Sequence, residues 1–316
     1  MSAASERTTS KVGNMSQIPH APTISGLVTP DVGNIVFLEH INVRIADQRP
    51  ATAFYVMGLG LTRDPYLRVG LDNMWINIGR SQFHLPNSGE RHGLPCPTQR
   101  LRGTIGIVVP DLAELAKRLE EVVPWLEGTQ FSYKVHAESV ETTCPWGNRF
   151  VCHAPSPEFG ETELALSYIE FDVPRGTAAN IARFYREVLL APAALEQRSS
   201  DAVACVDVGA AQKLLYHETD LVPPYDGHHI AIYVANLTGP HRFLTGHGLV
   251  IDGSSAPYQF NFSDIVDPDS GQVLFAIEHE VRCLKHPLYN RSLINRNSAR
   301  TNVNRERGHD AFHGFY

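Results

Sequence analysis

Four segments of this chain repeat one pattern, and the repetition limits the fold more than any other sequence feature. Each segment begins with a short apolar strand, continues through a polar turn into a helical stretch, and ends with several strands. Superposing the four first strands places His40, Thr104, Tyr168 and His229 at one position, with spacings of 64, 64 and 61 residues. The sequence therefore predicts four copies of a βαβββ module.

Turn-forming and charged residues separate these modules. The segments at 86–97 and 154–163 are rich in proline, glycine and charged side chains. The predicted boundaries, in chain order, are a flexible N-terminal tail at 1–34, module 1 at 35–86, module 2 at 101–155, module 3 at 164–219, module 4 at 226–282 and an irregular C-terminal extension at 283–316.

Composition excludes several classes of function. The 316 residues include 27 Lys and Arg against 34 Asp and Glu, and a net charge of −7 gives no electrostatic footprint for nucleic acid. No stretch of about 20 apolar residues predicts a membrane span, and the N-terminus lacks the apolar core of a secretory signal. Five cysteines without a C-x-x-C pair favour reduced, packed thiols. We expect a cytoplasmic protein that forms homo-oligomers and binds a small-molecule substrate, but neither nucleic acid nor a membrane.

The repeated module, with a histidine on its first strand and a carboxylate on its last, resembles the vicinal oxygen chelate superfamily. That superfamily includes glyoxalases, bleomycin resistance proteins and extradiol dioxygenases, and the resemblance covers about residues 35–282. It implies an α+β fold in which the modules pair into two cup-shaped mixed sheets. It also implies a divalent metal ion inside a cup, because alternate residues of each strand point into it.

The distribution of histidines indicates which modules would hold the metal. Module 1 offers His40 and His84, and module 4 offers His229 and Glu278, whereas modules 2 and 3 have no histidine at the equivalent first-strand position. The resemblance therefore implies that modules 1 and 4 pair around the metal and that modules 2 and 3 pair without one. Glu280 lies on the same strand face as Glu278 and is an alternative ligand.

The first hypothesis for the activity is ring cleavage by dioxygen. The chain is most similar to the hydroquinone ring-cleaving dioxygenases, whose two histidines and one carboxylate match His40, His229 and Glu278. Three such ligands on one side of Fe(II) leave room for a catechol- or hydroquinone-like substrate and dioxygen together. This hypothesis predicts iron as the cofactor.

Two alternatives remain open at this point. If His84 is a fourth ligand, the same site suits Mn, Zn, Ni or Co acting as a Lewis acid in a redox-neutral glyoxalase, epimerase or lyase reaction. The other alternative is a metal-free protein that sequesters a ligand between its modules.

Five further residues are candidates for roles beside the metal. The resemblance matches His228 to a histidine that adjoins a metal ligand in the dioxygenases, which suggests a proton carrier, and Tyr258 is a second candidate acid or base. Asn261 is expected to orient the substrate. Tyr55 and Trp75 are expected to line an apolar wall of the substrate pocket.

Overall fold

The predicted repeat is visible in the order of helices and strands. The computed structural model describes residues 31–65, 72–91, 93–160 and 162–293. Most of the predicted tail and of the predicted extension, at 1–30 and 294–316, lies outside the described residues.

Each module begins with a strand and a helix, as predicted. The described α-helices are α1 (Gln48–Ala51), α2 (Leu112–Leu126), α3 (Ala178–Glu187) and α4 (Thr238–Gly246), with a π-helical stretch (Thr52–Gly58) directly after α1 and a 3-10 turn at Pro157–Phe159. The strands in chain order are β1 (Ile35–Asn42), β2 (Thr62–Arg63), β3 (Asn73–Ile78), β4 (Ser81–Pro86), β5 (Gly89–Arg91), β6 (Leu94–Cys96), β7 (Gly103–Val108), β8 (Ser132–Val135), β9 (Ser139–Thr143), β10 (Arg149–His153), β11 (Ala165–Pro174), β12 (Ala193–Arg198), β13 (Asp201–Asp207), β14 (Lys213–Thr219), β15 (His229–Val234), β16 (Gln259–Val266) and β17 (Val273–Cys283).

Module 4 departs from the βαβββ pattern. Only two long strands follow α4, and the expected third is reduced to two isolated bridges, of Val250 with Phe262 and of Ala256 with Gln259. Gly248 and Gly253 in this segment have φ values of +69° and +73°, a left-handed conformation that interrupts extended backbone.

The strands form two large mixed sheets, each built from two modules. One sheet has the order β16-β17-β15-β1-β4-β3-β2 and the other β12-β13-β14-β11-β7-β10-β9-β8, with β5 and β6 as a separate pair. The first sheet joins modules 1 and 4 through antiparallel β1 and β15, and the second joins modules 2 and 3 through antiparallel β7 and β11. The predicted α+β fold, with two mixed sheets paired in this way, is confirmed.

Helical residues and the sheets share one apolar core. The ring of Tyr55, in the π-helical stretch, lies 5.3 Å from Phe83 in β4 and 6.0 Å from Phe150 in β10, so it contacts both sheets. Tyr185 in α3 reaches the other half of the first sheet, where its hydroxyl lies 2.6 Å from His279 Nε2. The π-helical stretch and α3 therefore pack between the sheets.

The helix α2 shows how sequence pattern produces this packing. Asp111 caps its N-terminus by accepting hydrogen bonds from the next backbone amides of the helix. Leu115, Leu119, Val122 and Leu126 recur at helical spacing and are buried. Among the described helices, none is both long enough and apolar enough to cross a membrane.

A buried arginine connects the two sheets. The guanidinium of Arg102, just before β7, lies 4.1 Å from the ring centroid of Phe275 and 4.9 Å from that of Tyr225. It also donates a hydrogen bond to the carbonyl oxygen of Ala276 in β17. These contacts attach module 2 directly to the last strand of module 4.

Candidate metal centre

Strand register places a set of polar residues on one face of the first sheet. His40 in β1 lies opposite Gln82 and Ala231, and His229 in β15 lies opposite Asn42 and Glu278. Residues opposite one another on paired strands project to the same side. We call this side the cup face, and it is formed by two rows: Gln82, His40, Ala231, Glu280 and Asn261 in one, and Trp75, His84, Asn42, His229 and Glu278 in the other.

Three histidines converge on the cup face. One ring nitrogen from each of His40, His84 and His229 lies within 4.8 Å of the others. The ring centroid of His40 is 5.7 Å from that of His84 and 5.7 Å from that of His229. Three imidazole nitrogens at this separation can coordinate one divalent ion.

Glu280 is the carboxylate that faces these histidines. Its Oε2 lies 3.7 Å from His40 Nε2 and 3.8 Å from His229 Nε2. Glu278 lies beside the cluster on the same strand face, and its Oε1 accepts a hydrogen bond of 2.8 Å from Asn261. The structure therefore brings together His40, His84, His229 and Glu280, with Glu278 adjacent.

The repeat gives this set an internal symmetry. In module 1, His40 pairs with Gln82, and His84 lies two residues further along β4. In module 4, His229 pairs with Glu278, and Glu280 lies two residues further along β17. Each module therefore contributes a first-strand histidine and the residue two positions beyond that histidine's partner.

The histidines are oriented by neighbouring side chains. His40 Nδ1 lies 2.9 Å from Glu39 Oε2, so a proton on Nδ1 is donated to Glu39 and the lone pair of Nε2 points into the cup. His84 stacks on Trp75, with ring centroids 3.8 Å apart, and its Nδ1 lies 2.5 Å from the side-chain amide of Asn42.

These side chains fit a metal ion on chemical grounds. His40 is 1% exposed, and its Nε2 has no hydrogen-bond partner among the described residues. A buried polar atom without a partner is costly unless a ligand satisfies it. A divalent ion at the centre of the cluster would supply that partner.

The charge states also suit metal binding. Burial, with His40 nearby, lowers the pKa of His229 to about 3, so its imidazole is neutral at pH 7 and keeps a lone pair. Burial alone would raise the pKa of Glu280, but Arg282 and the two histidines lower it below its usual value. The site therefore presents a neutral imidazole beside an ionised carboxylate.

The other candidate residues occupy different environments. Trp75 and Asn261 lie on the cup face, where Trp75 also contacts His40 edge-on with ring centroids 5.0 Å apart. Tyr55 is fully buried in the core against Phe83, on the opposite face of the sheet from the cup. The structure therefore places Tyr55 away from the cup, and its predicted role in the substrate pocket is not supported by this position.

The two candidate acid–base residues lie at the margins of the cup. His228 precedes β15 and is buried, with Nδ1 2.6 Å from Asp226 Oδ1 and its ring edge-on to Tyr225. Tyr258 is 46% exposed and has a φ of +74°, and its carbonyl oxygen accepts a hydrogen bond from Cys283. The roles proposed for His228 and Tyr258 stay predictions.

The sequence did not identify two charged residues that contact the candidate metal ligands. Glu39 contacts His40, and Arg282 bonds to both Glu39 and Glu280. Strand alternation from Glu280 already places Arg282 on the cup face. No sequence signal marks Glu39, because a register shift between Leu38 and His40 is what brings it to this side.

Comparison with known proteins shows which solved structures share this fold. No family model and no curated protein sequence matches the chain at a significant level. Among solved structures, a candidate dioxygenase from Bacillus subtilis subsp. subtilis strain 168 is similar, with a TM-score of 0.53, 14% identity and coverage of 86% of this chain and 90% of that one. Glyoxalase I from Zea mays is also similar, with a TM-score of 0.51, 13% identity and coverage of 78% and 92%.

At these identities the likeness shows the fold alone. The chain has the fold of these two proteins, with a histidine cluster on the cup face of one sheet.

Proposed function

We propose that this protein is a metal-dependent enzyme whose small substrate binds the ion through two oxygen atoms. The observation that carries the proposal is the convergence of His40, His84 and His229 within 4.8 Å on the cup face, with Glu280 facing two of them. The similarity in fold to glyoxalase I and to a candidate dioxygenase supports an enzyme of this kind.

The geometry favours four protein ligands, and therefore a redox-neutral isomerase, epimerase or lyase. His84 takes the same place in module 1 that Glu280 takes in module 4. Four protein ligands on a six-coordinate ion leave two positions, which two vicinal oxygens of a substrate can occupy. A divalent ion bound here would polarise those oxygens and acidify the neighbouring C–H bond.

Residues of the cup would then bind the substrate and move its proton. Glu278 lies next to the ligands, and Asn261 fixes one of its oxygens through a hydrogen bond of 2.8 Å. No described basic side chain forms an ion pair with Glu278, so it is our candidate general base. Trp75 supplies an apolar wall against which the body of the substrate would pack.

The second candidate function is ring cleavage by an Fe(II) dioxygenase. It requires His84 to remain unbound, so that His40, His229 and Glu280 form a two-histidine, one-carboxylate set. The contact between His84 Nδ1 and the amide nitrogen of Asn42 favours it, because an Nδ1 that accepts this hydrogen bond leaves the proton on Nε2. His228 would be the candidate proton carrier.

Metal analysis of protein purified anaerobically without a metal-binding tag separates these functions. We expect about one equivalent of Zn, Ni, Co or Mn per chain and no oxygen uptake with catechols or hydroquinones. One equivalent of iron with substrate-dependent oxygen uptake would establish the dioxygenase instead. A protein that takes up no metal, even after supplementation, would contradict both enzymes and leave the ligand-sequestering protein.

Substitutions assign the ligands in the same experiment. We expect His40→Ala and His229→Ala to abolish metal binding, with His153→Ala as a control on the second sheet, where His153 bonds to Tyr168. If His84→Ala weakens binding as severely, the four-ligand site is supported. Full metal content in His84→Ala would favour the three-ligand site.

A further inference from the structure

A buried arginine lies between two carboxylates that both adjoin the proposed metal ligands. Arg282 Nη1 donates to Glu39 Oε2 at 2.5 Å, and its Nε and Nη2 donate to Glu280 Oε1 at 2.8 and 2.5 Å. The same oxygen of Glu39 contacts His40 Nδ1 at 2.9 Å. One guanidinium therefore connects, through direct hydrogen bonds, to the side chains that fix His40 and Glu280.

The backbone explains why these groups meet. Leu38 pairs with Ile232 and His40 with Ala231, so Glu39 is an extra residue in β1. A bulge of this kind turns a side chain from the face it would otherwise take, and here it puts Glu39 beside His40. Arg282 reaches the same place by ordinary alternation, two residues beyond Glu280.

Burial makes the two carboxylates depend on the arginine between them. Glu39 is 5% exposed and Arg282 7% exposed, and Tyr233 contributes its hydroxyl to Glu39 at 3.3 Å. Two carboxylates in such surroundings repel each other unless a cation lies between them. The fork of Arg282 satisfies one oxygen of each, which leaves Glu280 Oε2 directed at the histidines.

We propose that Arg282 and Glu39 are positioning residues that hold His40 and Glu280 ready to bind the metal. This inference rests on the proposed function, because it assumes that these two side chains are metal ligands. Glu39 fixes the ring and the tautomer of His40, and Arg282 fixes the rotamer of Glu280. Loss of either partner leaves a ligand present but free to turn away.

Cobalt binding tests the proposal without a substrate. Co²⁺ affinity is measured by calorimetry and the geometry of the bound ion by its visible absorption, for the wild-type chain, Glu39→Gln and Arg282→Lys. We expect Glu39→Gln to bind Co²⁺ about 10- to 100-fold more weakly, with an altered spectrum. Arg282→Lys keeps the charge but lacks the fork, and we expect a smaller loss.

The control separates positioning from general stability. Asn148→Ala removes two buried hydrogen bonds, to the backbone of Leu101 and Gln99, and touches neither a proposed ligand nor Glu39 or Arg282. We expect this variant to unfold at a lower temperature but to keep the wild-type cobalt spectrum.

Two outcomes would overturn the inference, and only the second would also overturn the proposed function. If the wild type binds Co²⁺ and Glu39→Gln matches it in affinity and spectrum, the positioning role is wrong while the metal site stands. If the wild type itself binds no Co²⁺, the proposed function fails and the inference fails with it.

Discussion

At the scale of single residues, the two nitrogens of His40 illustrate how the site is prepared. Nδ1 is engaged by Glu39, and Nε2 is buried without a described hydrogen-bond partner. A ring held in this way loses little entropy when it binds an ion, because its rotamer and tautomer are already fixed. The two glutamates are also held differently. Arg282 binds one oxygen of Glu280 and leaves the other facing the histidines, whereas Glu278 is bound by Asn261.

The two glutamates of β17 should therefore behave differently. We expect Glu280→Gln to lower the affinity for Co²⁺ by at least about 100-fold, because it removes an anionic ligand. Glu278→Gln should leave the affinity within about threefold and instead reduce turnover once a substrate is known. Calorimetric titration of both variants checks this, and an equal loss in the two would contradict the division of roles.

Asn42 should control whether His84 is a ligand. Asn42→Asp presents only acceptor oxygens to His84 Nδ1, which forces the proton onto Nδ1 and frees Nε2 for the ion. We expect Asn42→Asp to bind Co²⁺ about tenfold more tightly than the wild type, an effect that His84→Ala should cancel. Titration of the single and double variants measures this coupling, and an unchanged affinity in Asn42→Asp would argue against it.

Part of this candidate site could be predicted from the sequence. Histidines in register predicted that His40 and His229 lie near one another, and both are in the observed cluster. Alternation could not distinguish Glu278 from Glu280, because both share a strand face. They differ in their partners, which are Asn261 of β16 for Glu278 and Arg282 of the same strand for Glu280. The sequence also could not place Tyr55, since an aromatic residue suits a pocket wall and a core equally well.

At the scale of elements, β17 carries different chemistry on its two faces. One face presents Glu278, Glu280 and Arg282 to the cup. The other presents His279, whose Nδ1 lies 2.7 Å from the carbonyl oxygen of Ile277 and whose Nε2 lies 2.6 Å from the hydroxyl of Tyr185. The buried ring of His279 therefore connects β17 to α3 through a hydrogen bond.

That contact predicts how stability varies with pH. Burial lowers the pKa of His279 to about 4, whereas an unfolded histidine titrates near 6.5. Between these values the unfolded chain binds more protons, so the free energy of unfolding falls as pH falls from about 6.5 to about 4. The contribution of this group reaches at most about 3 kcal/mol.

Urea unfolding of the metal-free protein between pH 7.5 and 4.5 measures the effect. His279→Gln should show a shallower dependence on pH than the wild type, although it starts from a lower stability. His247→Leu, at the exposed end of α4, is the control and should keep the wild-type slope. Identical slopes for the wild type and His279→Gln would contradict the prediction.

At the scale of the whole molecule, the proposed metal centre spans the junction of the first and last modules. His40 and His84 come from module 1, and His229 and Glu280 from module 4. The positions of the histidines in modules 1 and 4 predicted this pairing of modules, and the strand order of the sheets confirms it. The packing of helices between the sheets could not be predicted, because it depends on contacts such as that of Tyr55 with both sheets.

An ion that binds only the folded chain should stabilise the whole protein. At a free metal concentration about 100 times the dissociation constant, the expected gain is about 2.7 kcal/mol. Thermal unfolding with Co²⁺ and with a chelator measures it, and the His40→Ala/His229→Ala variant should show no difference between the two conditions. An equal shift in that variant would mean that the ion acts elsewhere.

The antiparallel pairing of β1 with β15 also determines when the centre can exist. Arg282 follows Glu39 by 243 positions, so the proposed centre stays incomplete until β17 has been synthesised. At 5–20 residues per second, that wait lasts roughly 10 to 50 s. Modules 2 and 3 are neighbours in the chain and can join during this interval, whereas module 1 carries an open strand edge that invites association with other nascent chains. The proposed metal centre can therefore form only after β17 has been synthesised.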